Sequence, residues 1–214
     1  MVFRDRFDAG RPLAARLPAL GLLRPLVLAL PRGGVPVASA VARILHAPLD
    51  VFVARKIGLP GVEEFGIGAV SEGEFVPVRN AVLGELGVSA AEFDSLARAA
   101  RAEVDRRVVA YRGDRCLPPL QGRDIVLVDD GIATGVSTEA AVRSLRAEEP
   151  ARLVLATPAC ASETAPRLAA LVDDFVCILT PVDFVAVGQW YQDFTQVTDD
   201  EVVALLVPEV APDT

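Results

Sequence analysis

Hydrophobic positions along the chain fall into blocks of two kinds. Leu26 to Leu30, Leu49 to Ala54, Ile125 to Val128, Leu153 to Thr157 and Phe175 to Leu179 are short runs dominated by aliphatic residues. Runs of that length and composition predict strands buried on both faces. Other blocks repeat every three or four residues. Phe7, Leu13, Ala14, Leu17 and Leu20 share one side of a helix over 7–20, and Val35 to His46 predicts a second. Phe93, Leu96, Ala97, Ala100, Val104, Val108 and Tyr111 make 89–112 the longest. Ser89 with Glu92 three residues on gives it a capping box. Its other face carries Arg98, Arg101, Glu103, Asp105 and Arg106 and reads as solvated. A helix starts near Glu139, a short one lies within 158–172, and Val202, Val203, Leu205 and Leu206 mark a last one. Phe65 to Val70 predicts a further strand, paired with Glu74 to Val78 across Glu72-Gly73.

Strands alternating with helices predict an α/β fold with a central mostly parallel sheet flanked by helices and right-handed crossovers. Ligands of such sheets bind at the carboxyl ends of the strands. The unusual residues all fall there: Pro31-Arg32-Gly33-Gly34 after the first strand, Arg55-Lys56 after the second, and Asp129 to Thr138 after the central one.

Composition narrows the function. Of 214 residues, 52% are hydrophobic, enough for a sizeable core. No uncharged apolar run reaches the ~18 residues of a membrane helix, and the first residues, Met-Val-Phe-Arg-Asp-Arg-Phe-Asp, do not form a leader. The expectation is a cytoplasmic protein. A net charge of −8 argues against a nucleic-acid surface. Cys116, Cys160 and Cys177 are odd in number and far apart, as reduced thiols are. The single histidine, His46, lies at a helix end beside Ala47-Pro48, where a Ser–His–Asp hydrolase has no use for it. There is no Gly-Lys-Ser/Thr loop, and Gly66-Ile67-Gly68 lacks the third glycine of a dinucleotide fingerprint.

The stretch Ile125 to Thr138 carries the most chemistry. Four apolar residues are followed by Asp129 and Asp130, then by small and hydroxyl residues up to the start of a helix. Successive amides in a tight loop, continued by a helix N-terminus, form an anion nest. Thr134, Ser137 and Thr138 add hydroxyl donors, and Gly135 permits close approach. Two carboxylates repel phosphate but suit neighbouring hydroxyls or magnesium. A ligand with both a sugar diol and a phosphate satisfies the whole stretch.

Val-Leu-Val-Asp-Asp-Gly-Ile-Ala-Thr-Gly-Val-Ser, residues 126 to 137, resembles the signature of the type I phosphoribosyltransferases. The resemblance implies that Asp129 and Asp130 bind the ribose hydroxyls of phosphoribosyl pyrophosphate (PRPP). It implies that Gly131, Ile132, Ala133, Thr134, Gly135, Val136, Ser137 and Thr138 hold the 5′-phosphate. Arg32, Gly33 and Gly34 then correspond to the family's pyrophosphate loop, with a non-proline cis peptide expected at Pro31–Arg32. Arg55 and Lys56 correspond to a pair that reaches the pyrophosphate. Asp129, Asp130, Arg32 and Lys56 are the implied catalytic set. Magnesium is the implied cofactor, held mainly by PRPP, with Asp129, Asp130 and Asp193 as candidate protein ligands. The loop from Lys56 to Val70, which includes Glu63 and Glu64, falls where the family carries a mobile lid.

After the last strand, Thr180 to Phe194 resembles the hood of the 6-oxopurine members, with Phe184 as the ring that stacks on the base. The reading is one domain, 1–214, with a core at about 22–180 and a hood from about 1–21 plus 181–208. Two positions depart from the purine pattern. The lysine that reads the 6-oxo group falls at Val172, and the acid at purine N7 falls at Ala133. The acceptor base therefore stays open, as does a homodimer. Two functions remain: a PRPP-dependent transferase acting on a nucleobase-like acceptor, and a non-catalytic PRPP- or nucleotide-binding regulator of the same fold.

Overall fold

The computed structural model describes residues 2–73, 78–79, 83–84 and 86–207. In chain order the elements are α1 (Arg6–Ala14), β1 (Pro25–Ala29), α2 (Gly34–Leu45), β2 (Leu49–Val51), β3 (Ala54–Leu59), β4 (Val62–Ser71), β5 (Val78–Arg79), α3 (Ala90–Arg112), β6 (Asp124–Val128), α4 (Val136–Ala147), β7 (Arg152–Ala159), α5 (Ala165–Ala169), β8 (Asp174–Leu179) and α6 (Asp199–Leu206). Five strands form a parallel sheet in the order β2-β1-β6-β7-β8. From β1 the chain winds outward through α2 to β2, and from β6 it winds the other way through α4 and α5. The strand order therefore reverses between β1 and β6, the position at which open α/β sheets hold their ligands.

Alternation along each strand sends side chains to two cores. Val27, Ala29, Val126, Val128, Val154 and Ala156 face one, which α1, α2, α3 and α6 complete with Leu13, Val41, Val104 and Val202. Leu26, Leu28, Ile125, Leu127, Leu153 and Leu155 face the other, closed by α4 and α5 through Val142, Leu145 and Leu168. Both faces are covered, which is why these strands read as unbroken apolar runs. Phe3, ahead of α1, bridges to Tyr191, and Arg4 O accepts from the Asp193 amide at 2.8 Å, so residues 3–4 meet residues 191–193.

Several expected boundaries shift. The first helix stops at Ala14, and a 3-10 turn at Pro18–Leu20 ends on Gly21 in the left-handed region. The second strand of the sheet is only Leu49–Val51. Arg55 and Lys56 do not end the second strand: they belong to β3, which forms an antiparallel hairpin with β4 around Pro60-Gly61. The segment expected as a lid is this hairpin, held against α3 and α4. β4 pairs with β5 through Ala69 and Val78, and the rest of the expected partner strand, 74–77, lies outside the described residues. α3 begins as expected, with Ser89 Oγ accepting from the Glu92 amide at 3.1 Å. All three cysteines are free, and among the described residues no helix is long and apolar enough to cross a membrane.

Candidate active site

The site forms where β1 and β6 end side by side. The expected cis peptide is present between Pro31 and Arg32. Gly33 and Gly34 follow because neighbouring groups leave no room for a Cβ. A Cβ on Gly33 would overlap the Asp130 carboxylate, and one on Gly34 would stand 2.7 Å from the Val128 carbonyl oxygen.

Beyond the acidic pair the loop is fixed from behind. The Ile132 amide donates to Ala159 O at 2.9 Å, and Ile132 O accepts from the Ala161 amide at 2.9 Å. Thr164 Oγ1 donates to Ala133 O at 2.6 Å, and Arg167 Nη2 to Thr134 O at 2.6 Å. With their carbonyls held on that side, the amides of 133–138 have no hydrogen-bond partner among the described residues. Gly135 takes φ 70° to enter α4, so Val136, Ser137 and Thr138 lie in the first helical turn, earlier than the sequence indicated. Two members of the expected phosphate set have a group committed elsewhere. Ile132 is buried in the core with its amide committed, and the Thr138 hydroxyl donates to Asp129 Oδ2 at 3.2 Å. The local sequence cannot reveal this, because the bridge from Ile132 to Cys160 is made with a segment just past β7 that comes later in the chain.

Asp129 Oδ1 accepts from the Asp130 amide at 2.9 Å. Burial, and then the neighbouring Asp130 charge, push the Asp129 carboxyl well above its ordinary range. Asp130 is also raised by burial, with Arg6 opposing: Arg6 Nε meets Asp130 Oδ2 at 2.7 Å. The Arg6 guanidinium carbon lies 3.9 Å from the centre of the Phe194 ring, and Nη1 donates to Thr195 O at 2.9 Å. The Tyr191 hydroxyl donates to Asp130 O at 2.5 Å. Arg6 and Tyr191 are functional candidates that sequence reasoning missed; neither carries a local motif.

Arg32 Nη1 lies 3.4 Å from Asp199 Oδ1, which also accepts from the Tyr111 hydroxyl at 2.7 Å. The Tyr111 hydrogen bond, then Arg32, hold the Asp199 carboxyl below its ordinary range. Adjacent residues of a strand point to opposite faces, and the two cations of β3 part accordingly. Arg55 is exposed and pairs with Glu103 of α3 at 3.8 Å. The Lys56 stem runs past Gly66 on the side of Val136, at the start of α4. The Arg55-Lys56 pair therefore does not reach one place together.

The C-terminal segment closes over the loop at Gly131, where a Cβ would overlap Val187. Gln189 holds this segment together, donating to Asp183 O at 2.8 Å and accepting from the Val185 and Ala186 amides. Phe184 is half-buried with its ring 5.9 Å from that of Trp190. Asp193 Oδ1 accepts from the Thr195 amide and hydroxyl. Among the described residues no three His, Cys, Asp or Glu side chains converge as a metal cage. A cavity of about 470 Å³ lies beyond Arg6, between α1, residues 193–197 and α6, with Phe7, Pro36, Val197 and Leu205 in its walls.

Residues 7–192 match the family model described as the phosphoribosyl transferase domain. A Mycobacterium tuberculosis protein named as a candidate phosphoribosyl transferase is 46% identical over 205 residues, covering 96% of this chain and 46% of its own. This chain thus spans about half the length of the curated relatives it matches. The crystal structure of a Thermus thermophilus protein superposes with a TM-score of 0.82 at 45% identity, covering 96% of this chain and 98% of the other. A Staphylococcus aureus hypoxanthine phosphoribosyltransferase shares the fold at a TM-score of 0.50 and 10% identity, over 86% of this chain and 78% of its own. A signature loop at the strand-order reversal and a family match over most of the sequence lead to one conclusion: the chain belongs to the phosphoribosyl transferase family.

Proposed function

We propose that this chain transfers the 5-phosphoribosyl group from PRPP to a nucleobase-like acceptor and releases pyrophosphate. The observation that carries the reading is the meeting, at one sheet edge, of six partnerless amides at 133–138 with the paired carboxyls of Asp129 and Asp130. The amides suit a terminal phosphate and the carboxyls a vicinal diol, and a spacing of a few residues matches one ribose 5-phosphate.

In this mechanism the 133–138 amides fix the 5′-phosphate, and Asp129 and Asp130 accept from the ribose hydroxyls. Arg32 and Lys56 stabilise charge that grows on the departing pyrophosphate. As the C1–pyrophosphate bond breaks, its electron pair leaves with pyrophosphate; the acceptor nitrogen then bonds to C1 and gives up its proton. Positive charge builds on the sugar, as in glycoside cleavage, next to the acidic pair. Phe184 is the proposed stacking ring for the acceptor.

Magnesium fits this site only as a cation brought with the substrate. Thr138, the Asp130 amide and Arg6 already engage three of the four oxygens of the acidic pair, and Asp193 is turned to Thr195. PRPP oxygens and water would supply most of the six ligands of the ion. When bound it would offset negative charge on the pyrophosphate.

The test is PRPP binding by calorimetry together with pyrophosphate release over a panel of purine and pyrimidine bases. Binding plus turnover with at least one base is the expected result. Tight binding with no turnover on any base replaces the transferase with a PRPP-binding regulator, and absence of binding overturns the reading.

A further inference from the structure

We infer that Arg6 is a positioning residue of the ribose subsite: from the first turn of α1 it fixes the Asp130 carboxylate so that its second oxygen, Oδ1, meets the sugar diol. This inference rests on the phosphoribosyl reading above.

Arg6 is itself immobilised on three sides. Nε donates to Asp130 Oδ2 at 2.7 Å, Nη1 donates to Thr195 O at 2.9 Å, and the guanidinium plane covers the Phe194 ring at 3.9 Å. The pair is almost enclosed, with side-chain exposures of 10% for Arg6 and 13% for Asp130. Attraction in such a place is screened little by salt. The same oxygen, Oδ2, is the carboxylate atom nearest Gly33, where even a methyl group has no room. The Asp130 main chain is pinned as well, through the Tyr191 hydroxyl on Asp130 O. Asp130 is therefore confined between the pyrophosphate loop and α1, with one oxygen occupied by Arg6.

Only arginine meets all three contacts, because its planar fork bonds in two directions while its face stacks. A lysine restores the charge without the second bond or the stack. The residues around Arg6 come from both chain ends, joined by the Phe3 amide on Trp190 O at 2.8 Å and the Gln192 amide on Phe3 O at 2.8 Å. The meeting of residues 3–6 with residues 190–195 is thereby part of substrate recognition.

Calorimetric titration with PRPP and, separately, with inorganic pyrophosphate tests this in the wild type, Arg6→Met, Arg6→Lys, Asp130→Asn and the Arg6→Met/Asp130→Asn double variant. Arg6→Met is expected to weaken PRPP binding about tenfold or more, as small misplacements of site groups do, and to change pyrophosphate binding less than about twofold. Arg6→Lys should recover part of the loss. Once Asp130 is already Asn, removing Arg6 should cost no further PRPP affinity, because the two act as one unit. Thermal melts of each variant separate folding from binding. Equal losses for both probes, or an Arg6 effect undiminished in the Asp130→Asn background, assign Arg6 a structural role and overturn the inference. PRPP binding by Arg6→Met at wild-type strength overturns it alone. A wild type that does not bind PRPP overturns the phosphoribosyl reading and this inference together.

Discussion

The guanidinium of Arg112, in the last turn of α3, donates to both carboxylate oxygens of Glu72, at 2.8 and 3.2 Å, in the protein interior. The same group donates to Asp50 Oδ1 at 3.2 Å and Val51 O at 2.7 Å, while the Val53 amide donates to Glu72 at 2.6 Å. One buried cation thereby ties α3 and the hairpin to the edge strand of the main sheet. Arg112→Met should remove about 3–5 kcal/mol of stability, because it leaves two buried carboxylates without their cation. Burial already raises the Glu72 carboxyl above its ordinary range. Loss of Arg112 raises it further, so the folded variant binds more protons than the unfolded chain. Stability then falls as pH rises through that interval, and the variant should regain stability as pH is lowered toward 5. Urea denaturation at several pH values checks this; a wild-type midpoint at pH 7 contradicts it.

The parts of this molecule governed by local sequence were legible, and the parts made by distant segments were not. Ser89 and Glu92 announce the start of α3 because the cap, Ser89 Oγ on the Glu92 amide, is made within four residues. Asp129 to Thr138 announces a strand end, a tight loop and a helix start for the same reason, and Gly33 of the Pro31–Gly34 turn lies against Asp130 as the topology implies. The Arg6–Asp130 pair joins residues 124 apart, and no periodicity points to it. Arg55 and Lys56 looked like one cationic pair, but the hairpin puts them in a strand and so on opposite faces. Ile132 looked like a loop residue because the strand end that claims its amide comes 27 residues later, at Ala159.

Thr164 lies outside the signature yet holds the 131–138 loop, the proposed phosphate site, through its 2.6 Å bond to Ala133 O. Thr164→Val keeps the shape and removes the donor. The expected cost is about 1 kcal/mol of stability and about a tenfold rise in the KM for PRPP as the amides lose alignment. The KM for the acceptor should stay near wild type. Steady-state kinetics with each substrate varied separately reads this out, and equal changes in both constants argue against a role confined to the phosphate loop.

Gly33 has φ −60° and ψ −34°, a conformation alanine adopts freely. Any effect of Gly33→Ala therefore comes from the added methyl meeting the Asp130 carboxylate and not from backbone strain. The displaced carboxylate should lower PRPP affinity about a hundredfold, while overpacking costs about 1–3 kcal/mol of stability. Binding and melting measured together test the claim, and unchanged PRPP affinity removes Asp130 from the ribose subsite.

Asp129 illustrates a conflict between stability and function. Its carboxyl is raised well above 3.8 by burial and by the Asp130 charge. Above that value the unfolded chain has released this proton while the folded chain still holds it, so the folded state binds more protons. Stability attributable to this group therefore falls as pH rises through the interval and stays low above it. Asparagine cannot ionise, and it can still accept from the Asp130 amide or the Thr138 hydroxyl. Asp129→Asn should therefore melt higher than wild type at pH 7, by on the order of 1 kcal/mol, with the advantage shrinking as pH falls toward 4. Saturating PRPP should reverse the ranking, because only the wild type gains binding energy from an ionised diol acceptor. Paired melting curves with and without PRPP at pH 4, 5.5 and 7 decide it. A variant that is stabilised by PRPP as strongly as the wild type would show that Asp129 does not hold the sugar.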